Sequence, residues 1–206
     1  HEMRDELLQL KYRHVEPTSA RNLFLDAKAY LARPLEDSEN FQRAVSFYVV
    51  NKCSFSGLTE SSSFSAQASD NNFTIRGIDK LPGYSEIIEN WRITNYSYDY
   101  LLGAEGNAFV YLDPPYDIKD NLYGRKGSMH KGFDHDKFAA DCDRYLCPQL
   151  VSYNSSNLVT ERFQGWTVGE FAHTYTMRSV GSYNTDQAGR KELVLTNYAT
   201  VLANEN

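Results

Sequence analysis

The sequence predicts an α/β protein whose second half is an open sheet covered by helices on both faces. Three observations lead there. Strand-like runs alternate with helical stripes after Pro82; one such run, Phe109-Val110-Tyr111-Leu112, stops abruptly at two prolines; and 206 residues of 41% hydrophobic and 14% aromatic composition are enough to bury a core.

The first fifty residues read as helical. Leu23, Ala27, Tyr30 and Leu31 form an apolar stripe that ends before Pro34. Phe41, Val45, Tyr48 and Val49 repeat it at i, i+4, i+7 and i+8, with Asp37 or Ser38 as the expected N-cap. From Cys53 to Asn72 the composition turns polar and serine-rich, with Phe55, Leu58 and Phe64 embedded in it. Such a stretch reads as an exposed loop or hairpin carrying apolar tips. A short helix over 85–91 and a strand over 92–96 are expected next, then the 109–112 strand. A helix capped by Asp134 should place Phe138, Cys142, Tyr145 and Leu146 on one face. Strands over 149–153, 167–177 and 191–196 complete the half.

Composition excludes some classes. No apolar run reaches the 18 or so residues that a membrane-spanning helix needs. Cys53, Cys142 and Cys147 are too few for a disulfide framework, and the Cys142–Cys147 spacing is not that of a zinc knuckle, so inert thiols in a reducing cytoplasm are expected. The net charge of −6 argues mildly against a protein that merely grips phosphates, because phosphate neutralisation normally needs a basic surface. Local charge differs: Arg125, Lys126, His130 and Lys131 fall within seven residues and form a candidate basic patch. His130, Asp134, His135 and Asp136 do not have the spacing of a zinc or iron site, so no metal is expected; Asp134 reads as a helix cap and the histidines as loop residues near phosphate.

The chemistry concentrates at Asp113-Pro114-Pro115-Tyr116. Ligands of open α/β sheets bind beyond the carboxyl ends of strands, and two prolines lock the chain there. A Pro-Pro step leaves a carbonyl that can accept from a ligand, Asp113 is a second acceptor, and Tyr116 offers a flat face. Two acceptors and a ring suit a planar group bearing an exocyclic amine, such as an adenine turned out of a duplex.

Val110-Tyr111-Leu112-Asp113-Pro114-Pro115-Tyr116 resembles the catalytic motif of amino-methyltransferases that act on DNA bases, in the aspartate form of the Dam-type (D12 class) adenine-N6 enzymes. Three further segments agree in order. Asn51-Lys52-Cys53-Ser54-Phe55-Ser56-Gly57-Leu58 resembles the segment leading into that family's DNA-probing hairpin. Asn121-Leu122-Tyr123-Gly124 and His130-Lys131-Gly132-Phe133-Asp134-His135 resemble the loop after the catalytic motif in phage and bacterial members. Val151-Ser152-Tyr153-Asn154-Ser155 and Lys191-Glu192-Leu193-Val194-Leu195-Thr196-Asn197-Tyr198 are similar to its later strands.

The resemblance implies a Rossmann-like methyltransferase sheet over 91–206 and a helical target-recognition subdomain with a hairpin over 1–90. It implies methyl transfer from S-adenosylmethionine to adenine N6 in duplex DNA by base flipping, as in restriction-modification, in the cytoplasm of a bacterial or phage-infected cell. Asp113, Pro114, Pro115 and Tyr116 are then catalytic, and Asp113, Asp99 and Tyr100 touch the co-substrate. Asn51, Lys52, Phe55, Ser56, Gly57, Leu58, Arg76, Tyr123, Arg125, Lys126, His130 and Lys131 face DNA. One departure stands out: the glycine-rich donor loop of the family does not occur before residue 57. The expectation is therefore an incomplete sheet that ends in an exposed apolar edge, inactive as an isolated fragment, its missing half cut away, lost from the gene, or supplied by another segment or chain. Two alternatives remain open: a non-catalytic DNA-binding remnant, and a cytosine-N4 or RNA-base methyltransferase.

Overall fold

A computed structural model of the chain describes residues 1–34, 39–57, 62–102, 108–117, 132–172 and 191–199. The chain divides into two compact units, His1–Ile93 and Thr94–Asn206.

The first unit is helical. Helices α1 (Glu2–Arg13), α2 (Pro17–Leu31) and α3 (Asn40–Cys53) pack through Leu7, Leu23, Phe24, Ala27, Val45, Val49 and Val50, all buried. The stripes foreseen on α2 and α3 supply Leu23, Ala27, Val45 and Val49 of this core, although Phe41 stays exposed. The N-cap of α3 is Glu39, without a side-chain cap bond; Asp37 and Ser38 lie outside the described residues. The serine-rich stretch is more structured than a loop. Ser54 pairs with Phe64 in one antiparallel bridge, secured by Phe55 N–H to the Ser63 carbonyl (3.1 Å) and Ser65 N–H to the Cys53 carbonyl (3.0 Å). Ser65 then caps α4 (Ala66–Asn72) by accepting from Ala68 N–H. An N-capping serine outweighs the weak helix propensity of the polar residues behind it. Phe64 packs on Phe24 (centroids 5.7 Å apart) and is no exposed tip. Helices α5 (Ile75–Asp79) and α6 (Leu81–Ile87) follow. The latter starts four residues before the expected 85, because Pro82 sits in its first turn, where a missing N–H costs nothing.

The expected strand over 92–96 does not form. Residues 91–97 take no regular structure and are exposed, with Ile93 and Tyr96 in solvent. Periodicity cannot by itself provide a strand with a partner.

The second unit opens with α7 (Tyr98–Leu102) and β1 (Val110–Leu112), followed by α8 (His135–Arg144), β2 (Gln149–Asn154), α9 (Asn157–Arg162), β3 (Thr167–Ala172) and β4 (Lys191–Thr196). The strands form a four-stranded mixed sheet in the order β1-β2-β4-β3. β1 and β2 are parallel, and β4 is antiparallel to both of its neighbours. Residues 173–177, expected to extend β3, lie outside the described residues.

Helices on both faces were expected; among the described residues they cover one. Leu112, Val151, Tyr153, Leu193 and Leu195 face a core built from Leu102 of α7, Phe138, Ala139 and Cys142 of α8, and Val159 and Phe163 at α9. β2 alternates buried and half-buried residues along its length, the pattern of a strand with one packed face. Among the described residues β1 lies at one edge of the sheet rather than buried on both faces. Tyr111 (59% exposed) and Phe109 (58%) stand in solvent there. Asp134 caps α8 by accepting from Lys137 N–H (2.9 Å), as its sequence position foretells. Leu146 falls beyond the helix and is 96% exposed, so it leaves the predicted stripe.

Candidate active site

The parallel register places Val110, Tyr111 and Leu112 beside Gln149, Leu150 and Val151, so the next step along brings Asp113 beside Ser152. Side chains alternate along a strand. Leu112 is therefore buried toward the helices, while Tyr111 and Asp113 emerge on the opposite, open face with Ser152. Ser152 Oγ donates to Asp113 Oδ1 at 3.0 Å, and the Tyr111 hydroxyl lies 2.9 Å from the same Oγ. Asp113 itself is exposed. Pro114 is buried, and among the described residues no hydrogen bond reaches its carbonyl.

After the prolines the chain crosses the carboxyl end of β2 and is tied down there. Asp117 N–H donates to Asn154 Oδ1 (2.7 Å), and Asn154 Nδ2 donates to the Asp117 carbonyl (3.4 Å). The Asp117 carboxylate accepts from Arg162 Nη1 (2.6 Å), whose Nε reaches Asp136 (2.5 Å). Tyr116 stacks near Tyr153, with centroids 6.3 Å apart and planes 26° apart, and donates its hydroxyl to Glu192 Oε1 at 3.1 Å. Burial raises the Tyr153 phenol above its ordinary range, with the nearby Asp117 adding to the shift. Its hydroxyl contacts His135 Nδ1, whose Nε2 lies 3.9 Å from Asp117 Oδ1. His135 thus belongs to the first turn of α8 and to this network, not to a phosphate-facing loop.

Asp99 and Tyr100 lie on α7. Asp99 is 3.7 Å from the Lys137 ammonium, and Tyr100 packs on Tyr96 with centroids 4.8 Å apart.

In the first unit, Phe55 and Gly57 bound a 3-10 turn that also contains Ser56. Gly57 adopts φ +67°, a conformation natural to glycine, and Asn51 Nδ2 holds its carbonyl at 2.8 Å. Phe55 is half exposed at this turn; Lys52 lies 5.6 Å over the Tyr48 ring, and Arg76 is exposed on α5. Leu58, Tyr123, Arg125, Lys126, His130 and Lys131 lie outside the described residues. No group of three or more His, Cys, Asp or Glu side chains among the described residues is arranged to hold a metal ion. The three cysteines are free, and burial pushes the Cys142 thiol up to about 12, so it is not a thiolate nucleophile.

Sequence reasoning missed Ser152, Asn154, Arg162 and Glu192 as parts of this site. The first two were within reach, since a β1–β2 parallel pairing aligns 113 with 152. Arg162 and Glu192 carry no local signal.

Residues 5–177 match the family model described as D12 class N6 adenine-specific DNA methyltransferase, a family of transferases that act with S-adenosylmethionine. The match spans well over half of the sequence, and the chain belongs to this family. No curated protein matches the chain.

Proposed function

We propose that the chain carries the acceptor side of an adenine-N6 methyl-transfer site, and that it acts on an adenine turned out of duplex DNA. The observation that carries this reading is the Asp113 turn: a carboxylate exposed at the carboxyl end of a parallel strand, followed by a proline carbonyl with no donor among the described residues. Both groups accept hydrogen bonds, and an exocyclic amine donates two. Holding N6 between Asp113 and Pro114 aims its lone pair, which the purine ring otherwise delocalises. Attack then depends mainly on alignment and on stabilising the positive charge that develops on nitrogen. The methylated ammonium is acidic and gives up its proton without a strong base. Tyr116 supplies a ring beside the base.

When bound, S-adenosylmethionine supplies an electrophilic methyl group. The chemistry of Asp99 and Tyr100 suits such a nucleoside: a partly exposed carboxylate can accept from ribose hydroxyls or an ammonium, and an exposed ring can lie against a base. These two residues and Asp113 are assigned to hold it. The first unit takes the role of target recognition, with Asn51, Lys52, Phe55, Ser56, Gly57 and Arg76 toward the duplex, joined by Leu58, Tyr123, Arg125, Lys126, His130 and Lys131. Its turn presents a ring without a cation between 53 and 72, which suits insertion between bases rather than phosphate neutralisation. The edge of β1, open among the described residues and with Phe109 and Tyr111 exposed, supports pairing of the sheet with a strand from another segment or chain.

The test is methyl transfer to unmethylated duplex DNA by the chain completed with its donor-binding segment, with products identified as nucleosides by mass spectrometry. N6-methyladenine should form, and Asp113→Ala should slow its formation on the order of 10²- to 10³-fold while DNA binding persists. N4-methylcytosine as the product, or undiminished turnover by Asp113→Ala, would refute the assignment. DNA binding without any transfer would support the non-catalytic alternative.

A further inference from the structure

We infer that Ser152, backed by Tyr111, is a positioning residue that sets the orientation of the Asp113 carboxylate. The inference rests on the reading of Asp113 as the amine acceptor and names the machinery that prepares it.

The hydrogen-bond chain has only one self-consistent direction. An ionised carboxylate has no proton to give, so Ser152 must donate its single hydroxyl proton to Asp113 Oδ1, at 3.0 Å. With that proton committed, the 2.9 Å contact to the Tyr111 hydroxyl requires Tyr111 to donate to Ser152 Oγ. Tyr111 thereby holds the serine rotor, which holds the carboxylate. The backbone at Asp113 is constrained as well, because a residue before proline is pushed to the extended region. What remains loose in an aspartate is rotation about its terminal torsion, which is broad and roughly two-fold. One hydrogen bond to one oxygen fixes that rotation. Among the described residues nothing else bonds or pairs with Asp113, so its second oxygen is left to accept from a ligand.

A purely stabilising role fits these groups poorly. Asp113 and Tyr111 are exposed and Ser152 is half-buried, all on the open face of the sheet, where a hydrogen bond exchanges with water for little net gain. An ordered row of three polar groups in solvent that ends on the acid of the catalytic motif is better explained by alignment.

The experiment measures kcat and KM for methyl transfer to unmethylated duplex DNA by the chain completed with its donor-binding segment, alongside thermal unfolding. Ser152→Ala should lower kcat about 10-fold with little change in KM or Tm. Ser152→Thr, which keeps the hydroxyl, should recover most of the loss, and Tyr111→Phe should lose several-fold. Combined with Asp113→Ala, Ser152→Ala should cost nothing further, since its effect passes through that carboxylate. Full turnover by Ser152→Ala, equal damage from Ala and Thr, or an additive double variant would each overturn the inference. If Asp113→Ala is impaired and Ser152→Ala is not, only the positioning role falls. If Asp113→Ala is unimpaired or the completed, unaltered enzyme transfers nothing, the acceptor reading falls and takes this one with it.

Discussion

Asn154 grips Asp117 by both of its backbone groups, accepting from the N–H at 2.7 Å and donating to the carbonyl at 3.4 Å. A single side chain at the end of β2 thus closes the turn that begins at Asp113, in the manner of one more rung on the sheet. Arg162 adds a charged contact to the same residue from α9. The two prolines stiffen the start of the turn and Asn154 fixes its end.

Removing that clasp should loosen the turn without unfolding the sheet. Asn154→Ala forfeits two hydrogen bonds and leaves an N–H and a carbonyl to find water, at a cost of about 1–2 kcal/mol. Urea unfolding should register this as a lower midpoint at unchanged slope, and methyl transfer should fall with it. Asn154→Asp keeps the acceptor but places a second negative charge by Asp117, and should be no better than alanine. An unaltered midpoint in both variants would show that the prolines alone hold the turn.

Tyr116 separates ring from hydroxyl. The sequence suggests that only the ring matters, yet the hydroxyl donates to Glu192. Tyr116→Phe should therefore cost on the order of 1 kcal/mol in unfolding free energy. Tyr116→Ala also deletes the ring, and should lower methyl transfer by a further 1–3 kcal/mol equivalent, roughly 5- to 150-fold. A Phe variant as stable as the parent would make the Glu192 contact incidental.

Acid sensitivity should centre on Asp141. Its carboxylate, buried on α8, accepts from the Lys137 ammonium and from the Tyr98 hydroxyl (2.9 Å). These contacts hold it below its ordinary value of 3.8, and Lys137 is raised by the same pairing. Burial, reinforced by Asp141, pushes the Tyr98 phenol up to about 12. A carboxylate depressed in the folded state stabilises fully above its unfolded pKa, and the contribution fades as pH falls from about 4 through the folded value. Denaturation midpoints followed from about pH 6 to pH 2 should drop less steeply for Asp141→Asn than for the parent. Parallel curves would remove Asp141 from the account of acid unfolding.

Phe55 and the cations should divide the labour on DNA. Phe55→Ala should weaken discrimination between target and random duplexes while leaving the salt dependence nearly intact. Lys52→Ala or Arg76→Ala should weaken binding to both duplexes and shallow the slope of log K against log salt by about one unit per lost phosphate contact. Affinities measured across a salt series decide between these roles. Equal loss on both duplexes for Phe55→Ala would deny the turn any part in reading sequence.

The sequence by itself determined the elements whose signal is local. The apolar stripes of α2 and α3, the Asp134 cap and the span of β4 follow from spacing and capping within a few residues. The Asp-Pro-Pro-Tyr turn and its ordered companions sufficed to indicate the family to which the chain belongs. Tertiary structure decided what depends on partners far along the chain. Residues 92–96 have strand-like composition but, among the described residues, no neighbouring strand to complete their hydrogen bonds, so they form no strand and stay exposed. Of the apolar Phe109–Leu112 run, Val110–Leu112 became a strand at the edge of the sheet among the described residues, because strand order is set by which ladders close and not by composition. Ser152, Asn154, Arg162 and Glu192 reach residues 113–117 across separations of 37 to 76 residues. No spacing rule encodes such distances; only the parallel register of β1 on β2 and the packing of α9 bring those side chains to the turn.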